Sequence, residues 1–177
     1  MKCALEFAAA ALVLLTLAGC ASSGVIRNAT PLSASQPVSL DFVLVETSSS
    51  RGDLENEKRR LNNLVVTGLK ETGFFGSVSG NKADVNPGSG IKISAEIKEI
   101  QKVSDNARLW MGALAGRARI VVQVTVTDFN SGNQIETFEA EGKSGESAAA
   151  GTTDEAIERA AEQVVAEMVE ISSRTSQ

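Results

Sequence analysis

Arg117-Ala-Arg-Ile-Val-Val-Gln-Val-Thr-Val-Thr-Asp-Phe-Asn-Ser-Gly-Asn-Gln-Ile-Glu-Thr-Phe-Glu-Ala-Glu-Gly-Lys143 is the stretch on which the fold turns. Two runs of alternating character flank a cluster of turn residues, which reads as a β-hairpin. In the first run Ile120, Val122, Val124 and Val126 share one face. In the second Phe138, Ala140 and Gly142 share a face, opposite Thr137, Glu139 and Glu141. A one-residue slip would turn every side chain over, so the apolar faces match only if paired residue numbers have an even sum. A two-residue loop between Asn130 and Asn133 gives an odd sum and sets Val124 against Glu139. The expected turn is therefore of odd length, with Gly132 in a left-handed bulge.

Upstream, Ile91, Ile93, Ala95 and Ile97 alternate with Lys92, Ser94, Glu96 and Lys98, the pattern of a half-buried strand. Val38 to Glu46 reads as the first strand, with Val38, Leu40, Phe42 and Leu44 facing the core. A helix is expected over Asp53 to Thr72 on Leu54, Leu61, Val65 and Leu69, capped by Asp53 and ended by Gly73. Gly68 within it suggests close packing on the sheet. Phe74 to Ser79 is a short strand, and 80–90 a loop. Downstream, Thr152-Thr-Asp-Glu155 has the form of a capping box. The helix it opens, Asp154 to Ile171, carries an apolar stripe of mostly small residues in its first half, so that end should approach the sheet closely.

The expected architecture is α+β. A mostly antiparallel sheet of about five strands, in the order β-α-β-β-β-β-α, carries two helices on one face. Its other face would present Lys92, Ser94, Glu96, Lys98, Arg119, Gln123, Thr125, Glu139 and Glu141 to solvent or a partner. Residues 38–172 make one domain, and 173–177 a disordered tail.

At the N-terminus, Phe7 to Ala18 is a 12-residue apolar run after a short start containing Lys2. A membrane-spanning helix needs about 20 residues, so the run has the length of a signal-peptide apolar region. It ends in Leu17-Ala18-Gly19-Cys20, which resembles the lipobox of bacterial lipoproteins. The resemblance implies that residues 1–19 are a signal peptide recognised through Leu17, Ala18 and Gly19. It further implies that the Cys20 thiol receives a diacylglycerol and becomes the lipid-carrying N-terminus. Ala21, rather than Asp, after that cysteine implies sorting to the outer membrane, facing the periplasm. Residues 20–37, rich in Ser, Ala and Pro, read as a flexible tether about 20–25 Å long.

The chain of 177 residues carries a net charge of −5, and losing Lys2 and Glu6 with the signal leaves it unchanged. That balance argues against a nucleic-acid partner and against a polybasic hold on lipid. There is no His, so no imidazole base or ligand exists. Cys3 leaves with the signal, and Cys20 is then the sole thiol. Gly142-Lys143-Ser144 lacks the first glycine of a phosphate-binding loop, and Gly76 to Gly80 has Val78 where a nucleophile elbow needs Ser. Asp41 and Asp128 are read as solvated strand and turn residues rather than an acid/base pair. No catalytic residue, metal, nucleotide or other cofactor is expected.

Leu109-Trp-Met-Gly-Ala-Leu-Ala-Gly116 holds the only Trp of the chain between two strands. Two readings stand. It folds over one end of the core, or Trp110, Met111 and Leu114 form an apolar tip that meets a partner or lipid.

From Ala107 onward the chain resembles family 4410 of the domains of unknown function, found in bacterial lipoproteins. The resemblance rests on Gly112-Ala-Leu-Ala-Gly116, on Thr127-Asp-Phe-Asn-Ser-Gly132, and on the Gly-, Ser- and Ala-rich loop before an Ala-rich last helix. It implies an α+β envelope domain and no activity. The expected function is that of a lipid-anchored envelope protein with a non-enzymatic binding or accessory role. Its partners would be the membrane, through Cys20, and another envelope protein or cell-wall component. The alternative is a subunit of an envelope secretion or cell-wall synthesis assembly.

Overall fold

A computed structural model describes residues 23–31, 41–84, 90–103, 116–145 and 151–175. Among them six strands form one sheet: β1 (Ser23–Pro31), β2 (Phe42–Ser49), β3 (Ser77–Ser79), β4 (Ile91–Gln101), β5 (Arg119–Asp128) and β6 (Gln134–Lys143). Helix α1 spans Glu55–Thr72 and α2 spans Thr153–Thr175. The spatial order is β1-β6-β5-β4-β2-β3. The β1–β6, β6–β5 and β5–β4 ladders are antiparallel, while β4–β2 and β2–β3 are parallel. The α+β class and the two helices agree with expectation. The sheet differs in being mixed and in having a sixth strand.

That sixth strand is β1, which falls within the stretch expected to be a tether. Ser23 through Arg27 pair with Lys143 through Glu139, and after a bulge Thr30 and Pro31 pair with Thr137 and Glu136. Without it, β6 would leave its backbone donors and acceptors as an open edge. The Ser- and Ala-rich composition concealed the strand because an edge strand needs few apolar side chains.

The parallel ladders arise because α1 lies between β2 and β3, a crossover that returns the chain in the same direction. β2 lies between β4 and β3, and its inward face also differs from expectation. Val43 and Val45 belong to the core, whereas Phe42 and Leu44, expected there, point to the opposite face. All four are buried. The run Phe-Val-Leu-Val is apolar at every position, so alternation carries no information about which face is inward. Val38 and Leu40 lie outside the described residues.

The hairpin has the required parity, with Val124 opposite Phe138 and Val122 opposite Ala140. Its turn is not of odd length, however. Asp128 N donates to Asn133 O (2.9 Å) and Gly132 N to Asp128 O (3.0 Å), leaving a four-residue loop. The parity is restored by a register shift between Val126 and Thr127 that skips Ile135. Gly132 takes the expected left-handed conformation, φ 70°.

Both helices cover one face of the sheet. Leu61, Val65 and Leu69 of α1 are fully buried, each contributing about 1.5–3 kcal/mol by area. Asp53 does not cap this helix: it pairs with Arg51 (2.8 Å), and Leu54 occupies the N-cap without a side-chain bond. Gly73 ends it in the left-handed region. Gly68 makes way for Val165 of α2 rather than for the sheet. At the start of α2, Glu155 N donates to Thr152 Oγ1 (3.0 Å), as a capping box requires. The Glu155 carboxylate accepts from Gly151 N (2.7 Å) instead of turning back to the cap residue. The small-residue end does sit close, since Ala156 and Ala160 lie over Gly142. At the other end α2 continues to Thr175, through residues expected to be a disordered tail.

Candidate functional site

Leu17, Ala18, Gly19 and Cys20 lie outside the described residues, as do Trp110, Met111 and Leu114. What the structure places is the scaffold around both groups. Ser23 begins β1 opposite Lys143, Lys143 faces Arg119 across the β6–β5 ladder, and Arg119 faces Gln101 across β5–β4. These four residues form one row across an end of the sheet. At about 4.8 Å per strand, Arg119 and Gln101 lie about 10 and about 14 Å sideways from Ser23. The 102–118 connection, which carries Trp110, therefore leaves and re-enters at the end where the chain arrives from Cys20. Its return is fixed to the end of β6. Ala118 N donates to Ser144 Oγ (2.9 Å), and Ser144 N donates to Ala118 O (3.0 Å). Gly116, at φ 83°, turns the chain into this pairing.

The sheet face away from the helices carries Lys92, Ser94, Glu96, Gln123, Thr125 and Glu139 in register, as the alternation implied. Thr125 and Thr137 share a hydroxyl hydrogen bond across strands (3.1 Å). Near this row the face holds a compact ion cluster. The Glu141 side chain is 1% exposed, and its carboxylate accepts from Arg119 Nε and pairs with Lys143 Nζ at 3.3 Å. Arg119 also reaches Glu99 (2.6 Å). Burial alone pushes the Glu141 carboxyl up. The hydrogen bonds and charges of Arg119 and Lys143 outweigh it and hold the group below the usual carboxylate range. Arg119 is raised, first by its bond to Glu141, against the opposing effect of burial. The sequence sets Glu141 on the face open to solvent or a partner. Its burial follows from lying between two cations on flanking positions, which alternation cannot report.

A second carboxylate cluster lies at the opposite end and had no sequence-level reading. Glu136 and Glu167, 5% and 10% exposed, both pair with Arg174 Nη2, at 3.3 and 3.1 Å. A signal for it did exist. Glu136 has the parity of Phe138 and Ala140 on β6, and Glu167 sits beside Met168 in the stripe of α2.

Between the helices runs a shallow groove of about 470 Å³, crossed by Arg60, which pairs with Asp154 (3.4 Å) and Glu158 (2.6 Å). Among the described residues, no three or more Asp and Glu side chains are grouped so as to hold a metal ion. No helix of the described residues is long and apolar enough to cross a membrane. Among the described residues the surface offers ion pairs and hydroxyls.

One family model, described as Domain of unknown function (DUF4410), matches residues 27–151, from within β1 to the start of α2. No curated protein matches the chain. Among solved structures, the chain is similar to protein XCC0632 of Xanthomonas campestris, of family DUF330. There the identity is 15% and the TM-score 0.55, over 88% of this chain and 98% of that one. It is similar also to the PelC dodecamer of Paraburkholderia phytofirmans, at 13% identity and a TM-score of 0.50, over 84% and 96%. At these identities the likeness is one of fold.

Proposed function

This chain belongs to the DUF4410 family, and we propose that it is a lipid-anchored protein of the bacterial cell envelope whose role is binding rather than catalysis. The observation that carries this reading is β1. Its first residue, Ser23, is three positions beyond Cys20 and is already paired to β6. Three residues span at most about 10–11 Å. Lipid on Cys20 would thus hold the folded domain against the bilayer rather than on a long tether. Two or more acyl chains suffice for stable attachment, at about 0.8 kcal/mol per buried CH₂.

The same end carries the 102–118 connection, so Trp110, Met111 and Leu114 are the proposed contact residues. They would meet headgroups, an envelope protein or a cell-wall component beside the anchor. Trp suits such a boundary because its ring is apolar and its N–H polar. A second reading, membership of a larger envelope assembly, is favoured by the dodecameric state of the PelC protein that shares this fold.

Labelled palmitate tests the anchor. The wild-type chain should incorporate label and remain with membranes, and Cys20→Ser should lose both. Label retained by the variant would overturn the anchor. The mass of the detergent-extracted protein distinguishes a single chain with a separate partner from a ring of copies.

A further inference from the structure

We propose that the last two turns of α2 form a pH-sensitive latch, in which Arg174 joins Glu136 and Glu167 and a single proton taken up by that carboxylate pair tightens the closure. The geometry favours such a proton site. Two carboxylates that are almost wholly buried share one guanidinium nitrogen, at 3.3 and 3.1 Å. One cation cannot neutralise both, and burying the surplus negative charge is costly.

Among the described residues, Arg174 is the cation paired with both carboxylates. On α2 the other charged neighbour is Glu170, 4.0 Å from Arg174 Nε, which adds repulsion. From β6 the facing group is Glu136 itself, and its β5 partner is the apolar Val126. From β1, Pro31 stands opposite Glu136, while Arg27 is in register with Glu139. Helix α1 meets the opposite flank of α2, where Gly68 faces Val165. Burial first, and then the charges of Glu170 and Glu136, push the Glu167 carboxyl above its ordinary value, with Arg174 opposing.

The direction of the effect follows. A carboxyl whose pKa is raised in the docked state binds its proton more tightly there than when the helix end is free. The penalty of the charged form is fully present above the raised value and is relieved as the pH falls through it. Acidification through that raised value therefore closes the latch.

Hydrogen exchange of the mature chain in detergent reads the latch directly, as protection factors over residues 167–173 corrected for the intrinsic effect of pH. In the wild type, protection should rise from about pH 8 to about pH 4.5, the ordinary carboxyl value below the raised one. Glu167→Gln, which mimics the protonated form, should show the higher protection at both pH values. Arg174→Gln should lose more protection at the higher pH than at the lower. Wild-type protection that stays flat or falls on acidification would overturn the proposal. So would Glu167→Gln exchanging faster than wild type at the higher pH. The wild-type comparison decides alone if neither variant accumulates.

Discussion

Gly142 of β6 lies directly beneath Ala156 of α2, so close that a Cβ on Gly142 would collide with the Ala156 carbonyl oxygen and stand 2.6 Å from the Ala160 nitrogen. The obstacle is backbone of a helix that covers the core, and it cannot turn aside. Gly142→Ala should therefore destabilise the domain by about 1–3 kcal/mol, the range for overpacking. Gly24→Ala is the control. Its Cβ would meet the Gln163 side chain, which can swing away, so the change should stay within about 0.5 kcal/mol. Urea denaturation of both variants checks the contrast.

Arg119→Met removes the guanidinium bond to the buried Glu141 carboxylate and leaves its pairing with Lys143 in place. Breaking a buried pair costs about 3–5 kcal/mol, and the remaining lysine and the part-exposed Arg119 reduce this to about 2 kcal/mol. The pH dependence is a separate signature. Glu141 is held below the usual carboxylate range, so its contribution is complete above the unfolded value and is lost as pH falls through the folded one. The stability gap between wild type and Arg119→Met should be widest near neutral pH and close in strong acid. A gap that widens in acid would contradict this role.

If β1 is a clamped strand, its amides exchange slowly. Hydrogen exchange should find protection over Gly24 to Arg27, which pair with Gly142 through Glu139, comparable to that of a sheet edge. A tether would exchange within seconds. Replacing Ile26, partly buried against the core, by Asp should abolish the protection and leave that of β4 in place.

Trp110 is the only tryptophan, so its emission reports one position. In the lipidated protein on vesicles, brominated lipid should quench it if the anchor-side connection touches the bilayer. A vesicle-bound protein with unquenched emission would leave the anchor standing and assign the connection to a protein or cell-wall contact.

Elements with one wet and one dry face were legible in the chain. β4, β5 and β6 follow their alternation, and α1 and α2 follow their apolar stripes. Gly73 and Gly132 take the left-handed conformations that their turns demand. Elements whose faces do not differ were not legible in the same way. β2 is apolar at four successive positions, so its inward face was misassigned. β1 is short of apolar residues, because an edge strand is recruited by the backbone groups of β6 rather than by its own side chains. The last turns of α2 look polar in sequence, yet Arg174 finds two buried carboxylates there.

By itself, then, the chain determined its class, its two helices, the hairpin parity and the chemistry expected of Cys20, because each is written in local periodicity or a contiguous motif. Only the tertiary structure decided the parallel pairing of β2, the capture of β1 as an edge, and the partners of Glu136, Glu141 and Glu167. Those depend on which strands become neighbours. Backbone hydrogen bonds and ion pairs between residues far apart in sequence leave no periodic trace along it.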